Sequence, residues 1–304
     1  MDKIFVPPIK IQGIKTKLVP LIKQNVAWYE DLLWVEPFMG SGVVGFNLKP
    51  KRALFGDNNP YLIEFYNTLK HGKISSRIVK EFLTEQGKIL SERGEKYYYE
   101  VRERFNKFHE PLDFLFLNRS CFNGVIRFNR AGKFNVPYGH KPQRFSKAYV
   151  TKIVNQVRYV EECLNHFDWH FVCQDFRKTL QQVNNLNSVF IYCDPPYIGR
   201  HVDYYNSWNE DDERTLCELL ENSRKPFMIS TWIKNKFRAN PCVEDIWTFC
   251  RKVTQEHFYH VGAKEINRNP MIEAVLTNYC VSEEINGLSR FARIYCGAGE
   301  KKFA

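Results

Sequence analysis

Leu32-Leu33-Trp34-Val35-Glu36-Pro37-Phe38-Met39-Gly40-Ser41-Gly42-Val43-Val44-Gly45 decides the fold. Residues suited to a short strand run into a proline and a glycine loop, and an apolar helical stretch from Val43 to Leu48 follows at once. A second strand, Ala53-Leu54-Phe55-Gly56, ends at Asp57. Strand, glycine loop, helix and strand in that order open an α/β sheet with helices on its faces.

The loop spells G-x-G-x-x-G with an acid at the end of the next strand, so an NAD-dependent oxidoreductase is one reading. Glu36 favours another. A carboxylate there would face a pyrophosphate at the helix N-terminus, whereas a cofactor carrying an ammonium and a sulfonium tolerates it. S-adenosyl-L-methionine is such a cofactor. Asp57 would accept hydrogen bonds from its ribose, and Gly40 and Gly42 would let the backbone approach its amino-acid end.

A second stretch, Val189-Phe190-Ile191-Tyr192-Cys193-Asp194-Pro195-Pro196-Tyr197, reads as a buried strand delivering a rigid polar loop. Asp194 can accept a hydrogen bond from an exocyclic amine. Because Pro196 has no N–H, the Pro195 carbonyl has no donor from the next residue and can accept a second. Two acceptors on one amine draw its lone pair out of ring conjugation, and Tyr197 can stack on the ring's face. Taken alone, the same residues also describe a proline-locked turn after a core strand. An oxidoreductase would leave this loop without a task.

At 304 residues the chain holds one large α/β core, or a core plus a smaller module. No run approaches the roughly 18 apolar residues of a membrane span, and the N-terminus lacks a signal-peptide core, so a cytoplasmic protein is expected. A net charge of +10 favours a polyanionic partner such as nucleic acid. The nine cysteines are scattered without zinc spacing; Cys173 and Cys193 fall on expected strands and read as reduced core residues, so neither disulfides nor a metal is expected.

From about His71 the pattern changes to helices rich in Lys, Arg and Tyr, in which Tyr98, Val101, Arg102 and Phe105 share a face. Then come Leu117-Asn118-Arg119 and an Asn-rich, basic hairpin: Ile126 to Asn129 and Lys133 to Val136, joined by Arg130-Ala131-Gly132 with Gly132 at the left-handed position. A helix from Ala148 to His166 follows. Strands at His170 to Cys173, Val189 to Cys193 and Phe227 to Thr231 then alternate with helices at Asp211 to Glu221 and Val243 to Cys250. Strands at Glu256 to Val261 and Met271 to Asn278 close the sheet. This divides the chain into a catalytic unit, 1–70 and 167–280, an inserted unit, 71–166, and a tail, 281–304, of which 297–304 reads as loose.

Glu36-Pro37-Phe38-x-Gly40-x-Gly42 and Asp194-Pro195-Pro196-Tyr197 occur in this order, separated by Leu117-Asn118-Arg119 and Lys133-Phe134-Asn135-Val136-Pro137. With these motifs the chain resembles the DNA adenine methyltransferase (Dam) family over about Val6 to Asn278. Within the family the likeness is strongest to EcoRV-type modification methyltransferases, in 5–19, 111–128 and 192–208. The resemblance implies an α/β, Rossmann-like S-adenosylmethionine-dependent methyltransferase sheet of seven strands, with an inserted helical and β-hairpin target-recognition domain. It implies methyl transfer to adenine N6 in double-stranded DNA, at GATATC or failing that GATC, in functional pairing with a restriction endonuclease.

By matched position it places Ile11, Lys15, Glu36, Phe38, Gly40, Gly42, Asp57 and Asp194 at the cofactor, although the family has an aromatic where Ile11 stands. It makes Asp194, Pro195, Pro196 and Tyr197 the catalytic loop. Lys10, Phe122, Asn123, Val125, Arg127 and Pro137 match residues at the DNA, Phe122 replacing a tyrosine that intercalates. On residue chemistry Arg127 fits a guanine edge or a phosphate, Phe122 a wedge or a core position, and Asn123 and Asn129 an adenine edge or a turn cap. Other readings are an N-methyltransferase of RNA or of a protein amide, and a catalytically silent DNA-binding regulator.

Overall fold

The glycine loop leaves the middle of a seven-stranded sheet in a computed structural model that describes residues 3–27, 31–198, 208–235, 239–258, 270–281 and 292–294. Helix α1 (Val19–Asn25) precedes β1 (Leu33–Glu36), α2 (Val43–Leu48), β2 (Arg52–Asp57) and α3 (Pro60–Lys70). Asn59 caps α3 by accepting from the N–H groups of Tyr61 and Leu62, and Pro60 takes the first turn where no donor is needed.

The inserted stretch contributes α4 (Ser76–Phe108), α5 (Pro111–Ser120) and α6 (Lys147–His166). Then β3 (Asp168–Cys173), α7 (Phe176–Asn184), β4 (Val189–Cys193), α8 (Glu210–Ser223), β5 (Phe227–Asn235), α9 (Cys242–Asp245), β6 (Arg251–Phe258) and β7 (Pro270–Thr277) complete the main sheet. A separate pair, β8 (Tyr279–Val281) and β9 (Ala292–Ile294), brings part of the C-terminal stretch back antiparallel.

Strand order is β3-β2-β1-β4-β5-β7-β6, parallel except for β7, which runs antiparallel to both neighbours. All five residues of β4 are buried, as a central parallel strand covered on both faces requires. Its side chains alternate: Phe190 and Tyr192 join the apolar cluster around Trp34, while Val189, Ile191 and Cys193 join the one beneath α7 and α8. Trp34 stacks on Phe190 at 5.2 Å and on Tyr192 at 5.8 Å. Burying each large apolar side chain contributes about 1.5–3 kcal/mol, which holds the polar loop after β4 to a rigid base.

The first cluster runs on without a break into the insert, through Tyr98, Val101, Phe105, Phe114, Phe128 and Phe134. Tyr61 of α3 stacks on Phe128 at 4.9 Å and meets Phe105 edge-on at 5.1 Å. Helix α4 reverses at Gly94, where φ is 58° and ψ −136°, and the Tyr97 hydroxyl therefore donates to Gln86 eleven residues back. No helix among the described residues is long and apolar enough to cross a membrane.

Several boundaries differ from the sequence expectation. The helix expected from Val243 to Cys250 stops at Asp245, because Trp247 turns into the core and its indole N–H donates to Glu213 at 2.7 Å. The strand expected at Glu256 begins at Arg251; residues 259–261 lie outside the described residues, as does the stretch 297–304. Cys193 is buried as expected, but Cys173 is exposed, since its strand lies at the sheet edge. The hairpin of 126–136 forms only a Phe128–Phe134 bridge rather than a ladder, with Gly132 at φ +71° as its turn requires.

Candidate active site

Strand β1 lies between β2 and β4: the chain runs outward from it through β2 to β3, then crosses back to β4 on its other side. At such a switch point the loops beyond the carboxyl ends of the strands part and leave a crevice. The loop after Glu36 and the loop after Cys193 both line this cleft, together with Gly13 to Lys15, Asp57, Gln174 to Arg177 and Trp208.

On the β1 side, Asp57 organises the glycine loop. Its Oδ2 accepts the Gly40 N–H at 2.9 Å and its Oδ1 the Asn59 N–H at 2.9 Å. Burial raises its pKa, against the pull of these backbone donors. Gly42, at φ +73°, ends the loop as the cap of α2. A Cβ on Gly45 would come within 2.4 Å of the Phe55 ring and 2.8 Å of Glu36 Oε1, so helix and strand can pack this closely only over glycine.

Glu36 lies beneath the loop at 1% exposure, its Oε1 accepting the Trp34 indole N–H at 2.8 Å. Burial pushes its pKa up to about 8, more than the hydrogen bonds from Trp34 and Gly45 pull it down. Phe38 stacks on Phe176 at 5.1 Å and meets Trp208 edge-on at 5.4 Å, forming an apolar wall. Ile11 is half-buried and also lines the cleft.

Asp194 stands on the β4 side with its side chain 22% exposed. Its Oδ1 takes Lys15 Nζ at 2.9 Å and the Ser230 hydroxyl at 2.9 Å. Lys15 Nζ also donates to the Gly13 carbonyl at 2.8 Å and lies 4.9 Å from the centre of the Tyr197 ring. Burial opposes its charge, but the Asp194 carboxylate, the largest influence on the other side, helps hold the ammonium's pKa above its ordinary value. Tyr197 is itself raised, by burial first, so its phenol stays protonated. Pro195 is buried and Pro196 half-buried beside it.

The residues matched to DNA contacts gather at the other end of the N-terminal segment. Lys10 gives its backbone N–H to Asn118 Oδ1 at 2.8 Å and takes Asn118 Nδ2 on its carbonyl at 2.9 Å. Burial, then the charges of Arg119 and Arg144, lower the Lys10 pKa to about 8. A Cβ on Gly124 would meet Lys10 Cδ at 2.9 Å, so the 122–125 turn lies directly against this lysine.

Phe122 is 54% exposed, which rules out the core position that its apolar character also allowed. Its N–H donates to the carbonyl of the exposed Pro137 at 2.9 Å. Asn123 is exposed at φ +53° and Val125 is half-buried. Arg127 is exposed, with Nε donating to Asn135 Oδ1 at 2.8 Å. Asn129 caps its turn, accepting from the N–H groups of Ala131 and Lys133 at 3.0 Å each.

One carboxylate thus faces a glycine loop across a switch-point cleft, and one short segment links that carboxylate to an exposed basic and aromatic turn. Compared with known families, residues 12–265 match the D12 class N6 adenine-specific DNA methyltransferases. The chain belongs to that family. As a D12 methyltransferase it is an enzyme that methylates adenine N6 in DNA.

It is 31% identical over 239 residues to the DNA adenine methylase of Vibrio cholerae serotype O1, covering 75% of this chain and 80% of that protein. Against the DNA adenine methylase of Salmonella typhimurium the identity is 31% over 236 residues, covering 73% and 79%. Against the type II methyltransferase M.FokI of Planomicrobium okeanokoites it is 27% over 288 residues, 90% of this chain but 42% of that longer protein. Among solved structures, an rRNA methyltransferase, aviRa of Streptomyces viridochromogenes, aligns over 86% of this chain and 83% of its own at 12% identity. The TM-score of that alignment is 0.35.

Beside the cleft lie groups to which the sequence motifs assigned no role. Asn118, fully buried, and Arg119, 7% exposed, form a clamp on the N-terminal segment. Arg119 donates to the Pro8 carbonyl and, at 2.8 Å, to Gln156. Glu213 receives the indole N–H groups of Trp208 at 2.6 Å and Trp247 at 2.7 Å, which steadies the Trp208 wall. The signal for these was a polar residue inside an apolar stretch: Asn118 and Arg119 after Phe114 to Leu117, and Ser230 after Phe227 to Ile229.

Proposed function

We propose that S-adenosyl-L-methionine is the methyl donor and that it lies between the glycine loop, Asp57 and the Phe38 wall. When bound, it supplies an electrophilic methyl group on a sulfonium. The residues fit it. Beyond the backbone N–H groups it accepts, Asp57 retains lone-pair capacity for ribose hydroxyls, and nothing stands within 4 Å of where a Gly40 side chain would be. The stacked Phe38 and Phe176 offer a purine an apolar face. Because Gly40 gives its N–H to Asp57, that donor is lost to a pyrophosphate, which argues against a dinucleotide.

The adenine site is Asp194, Pro195, Pro196 and Tyr197. The observation that carries this reading is the position of Asp194, at the cleft between the glycine loop and the segment that runs to Lys10. The Asp194 carboxylate and the Pro195 carbonyl accept the two N6 hydrogens of an adenine taken out of the helix, and Tyr197 stacks on its ring. Both acceptors would stabilise the positive charge that develops on N6 as the methyl carbon passes to it from sulfur, which would leave as a neutral thioether while N6 afterwards gives up one proton. Lys15 orients the carboxylate and needs no part in proton transfer. No covalent intermediate on the protein is required.

Residues 71–166 act as the target-recognition unit, with Lys10, Phe122, Asn123, Val125, Arg127 and Pro137 at the DNA. Phe122 wedges beside the displaced base and Arg127 reads a guanine edge. GATATC is the proposed site, GATC the fallback, and a restriction endonuclease the functional counterpart in the same cytoplasm. The test uses S-adenosylmethionine with a labelled methyl group and duplexes bearing GATATC, GATC or neither, with RNA as a control. Label confined to GATATC, with protection from a nuclease cutting there, supports the reading; label at GATC or elsewhere overturns the site. For Asp194→Ala we expect transfer to be lost with cofactor binding largely kept, and a rate near wild type would reject the assignment.

A further inference from the structure

We infer that Ser230, held in turn by Tyr192, is a positioning residue for methyl transfer: it fixes one oxygen of Asp194 so that the other faces the amine. This rests on the role proposed above for Asp194.

Strands β4 and β5 pair in parallel with Tyr192 opposite Met228 and Cys193 opposite Ile229, so Asp194 and Ser230 emerge at the same level. Ser230 is fully buried and its hydroxyl lies 2.9 Å from Asp194 Oδ1. The Tyr192 hydroxyl, on a side chain 1% exposed, lies 2.8 Å from the same Ser230 oxygen. Proton directions follow from chemistry. Burial, then the nearby Asp194 charge, raises the Tyr192 pKa well above normal, so the phenol keeps its proton. A carboxylate only accepts, so Ser230 donates to Asp194 and Tyr192 donates to Ser230.

Lys15 Nζ reaches the same Oδ1 from the other side at 2.9 Å. Oδ1 is therefore held by two donors from separate elements, while Oδ2 takes no hydrogen bond among the described residues. A carboxylate pinned at one oxygen cannot rotate freely, and its second oxygen keeps a fixed direction toward the cleft. Without Ser230 only the long Lys15 side chain would hold it. The loss belongs to the reacting state, because the hydrogen bond from N6 to Asp194 strengthens as N6 becomes cationic.

The experiment measures single-turnover transfer to duplex DNA, with cofactor and DNA affinities determined separately, for Asp194→Ala, Ser230→Ala, Ser230→Thr, Tyr192→Phe and the Ser230→Ala/Tyr192→Phe double variant. Expected for Ser230→Ala is a rate loss of about tenfold, the order set by one hydrogen bond to a charged group, with both affinities within about twofold. Ser230→Thr restores most of the rate. Tyr192→Phe loses less than Ser230→Ala, and the double variant loses no more than Ser230→Ala alone, because Tyr192 acts only through Ser230. Should Ser230→Ala not fold, Ser230→Cys, similar in size but a weak donor, carries the same expectation. A wild-type rate for Ser230→Ala, a loss confined to affinity, or multiplying losses in the double variant overturns the inference. An active Asp194→Ala instead refutes the underlying assignment, so the two failures are distinct.

Discussion

Replacing Glu36 with Gln should make the protein more stable, and increasingly so as pH rises. Glu36 is 1% exposed and has its pKa pushed from 4.5 to about 8, with burial as the leading cause. A carboxyl raised on folding binds its proton more tightly in the native state than in the unfolded chain. The stability it contributes is therefore fully present below pH 4.5 and is lost as pH climbs through the folded pKa near 8.

At ~1.4 kcal/mol per unit the full span is at most about 5 kcal/mol, a large fraction of a typical folding free energy of about 5–15 kcal/mol. Glutamine keeps an oxygen for the Trp34 indole N–H and has no charge to bury. Urea unfolding of both proteins at half-unit steps from pH 4.5 to 8.5 isolates the effect as the difference between two curves. The advantage of the Gln variant should grow steadily across this range and level off above pH 8. A constant difference at every pH would mean that Glu36 stays ionised in the fold, and the reasoning would be refuted.

Gly45→Ala should cost about 1–3 kcal/mol through overpacking, since its Cβ would meet the Phe55 ring at 2.4 Å; thermal unfolding with an unchanged midpoint would contradict the packing described. Phe122→Ala should leave the fold intact, because the side chain is 54% exposed. It should slow transfer on a paired duplex more than on one with a mismatch at the target, and equal slowing on both would remove its wedge role. Arg127→Ala should relax discrimination at one guanine by about 1–3 kcal/mol, read from transfer rates on single-base variants of the site. A uniform loss with a shallower salt dependence would make Arg127 a phosphate contact instead.

The parts of the fold legible in the sequence were those specified by neighbouring residues. The bounds of β4 and α2 follow from an apolar run cut off by proline or glycine, and both appear as expected at Val189–Cys193 and Val43–Leu48. The end of the helix at Cys242 was not legible, because Trp247 leaves the helical path for a carboxylate on α8, 34 residues away. The alternation of Ile126 to Asn129 predicted a strand, and the side chains do alternate between buried and exposed. The backbone, however, pairs only at Phe128 and Phe134, since the turn is held by Tyr61 and by Asn106, which accepts from the Phe134 N–H at 2.8 Å. In the site, the Asp194 loop and Asp57 were readable as motifs. Asn118 and Arg119 stood out as a motif, but their role as a clamp did not, and neither did Ser230, because their meaning lies in partners 36 and more than 100 positions distant.

Lys10 and Lys15 are only five positions apart, yet one is clasped by the insert through Asn118 and the other grips Asp194. Ile11 and Ile14 between them pack against the core, so little slack separates the two grips. With Lys10 at the DNA and Asp194 at the amine, as proposed, a poorly matched duplex that drags this lysine aside would also loosen the hold on the carboxylate. Wrong sites would then be bound but turned over slowly, and fidelity would show up in the rate of modification more than in occupancy.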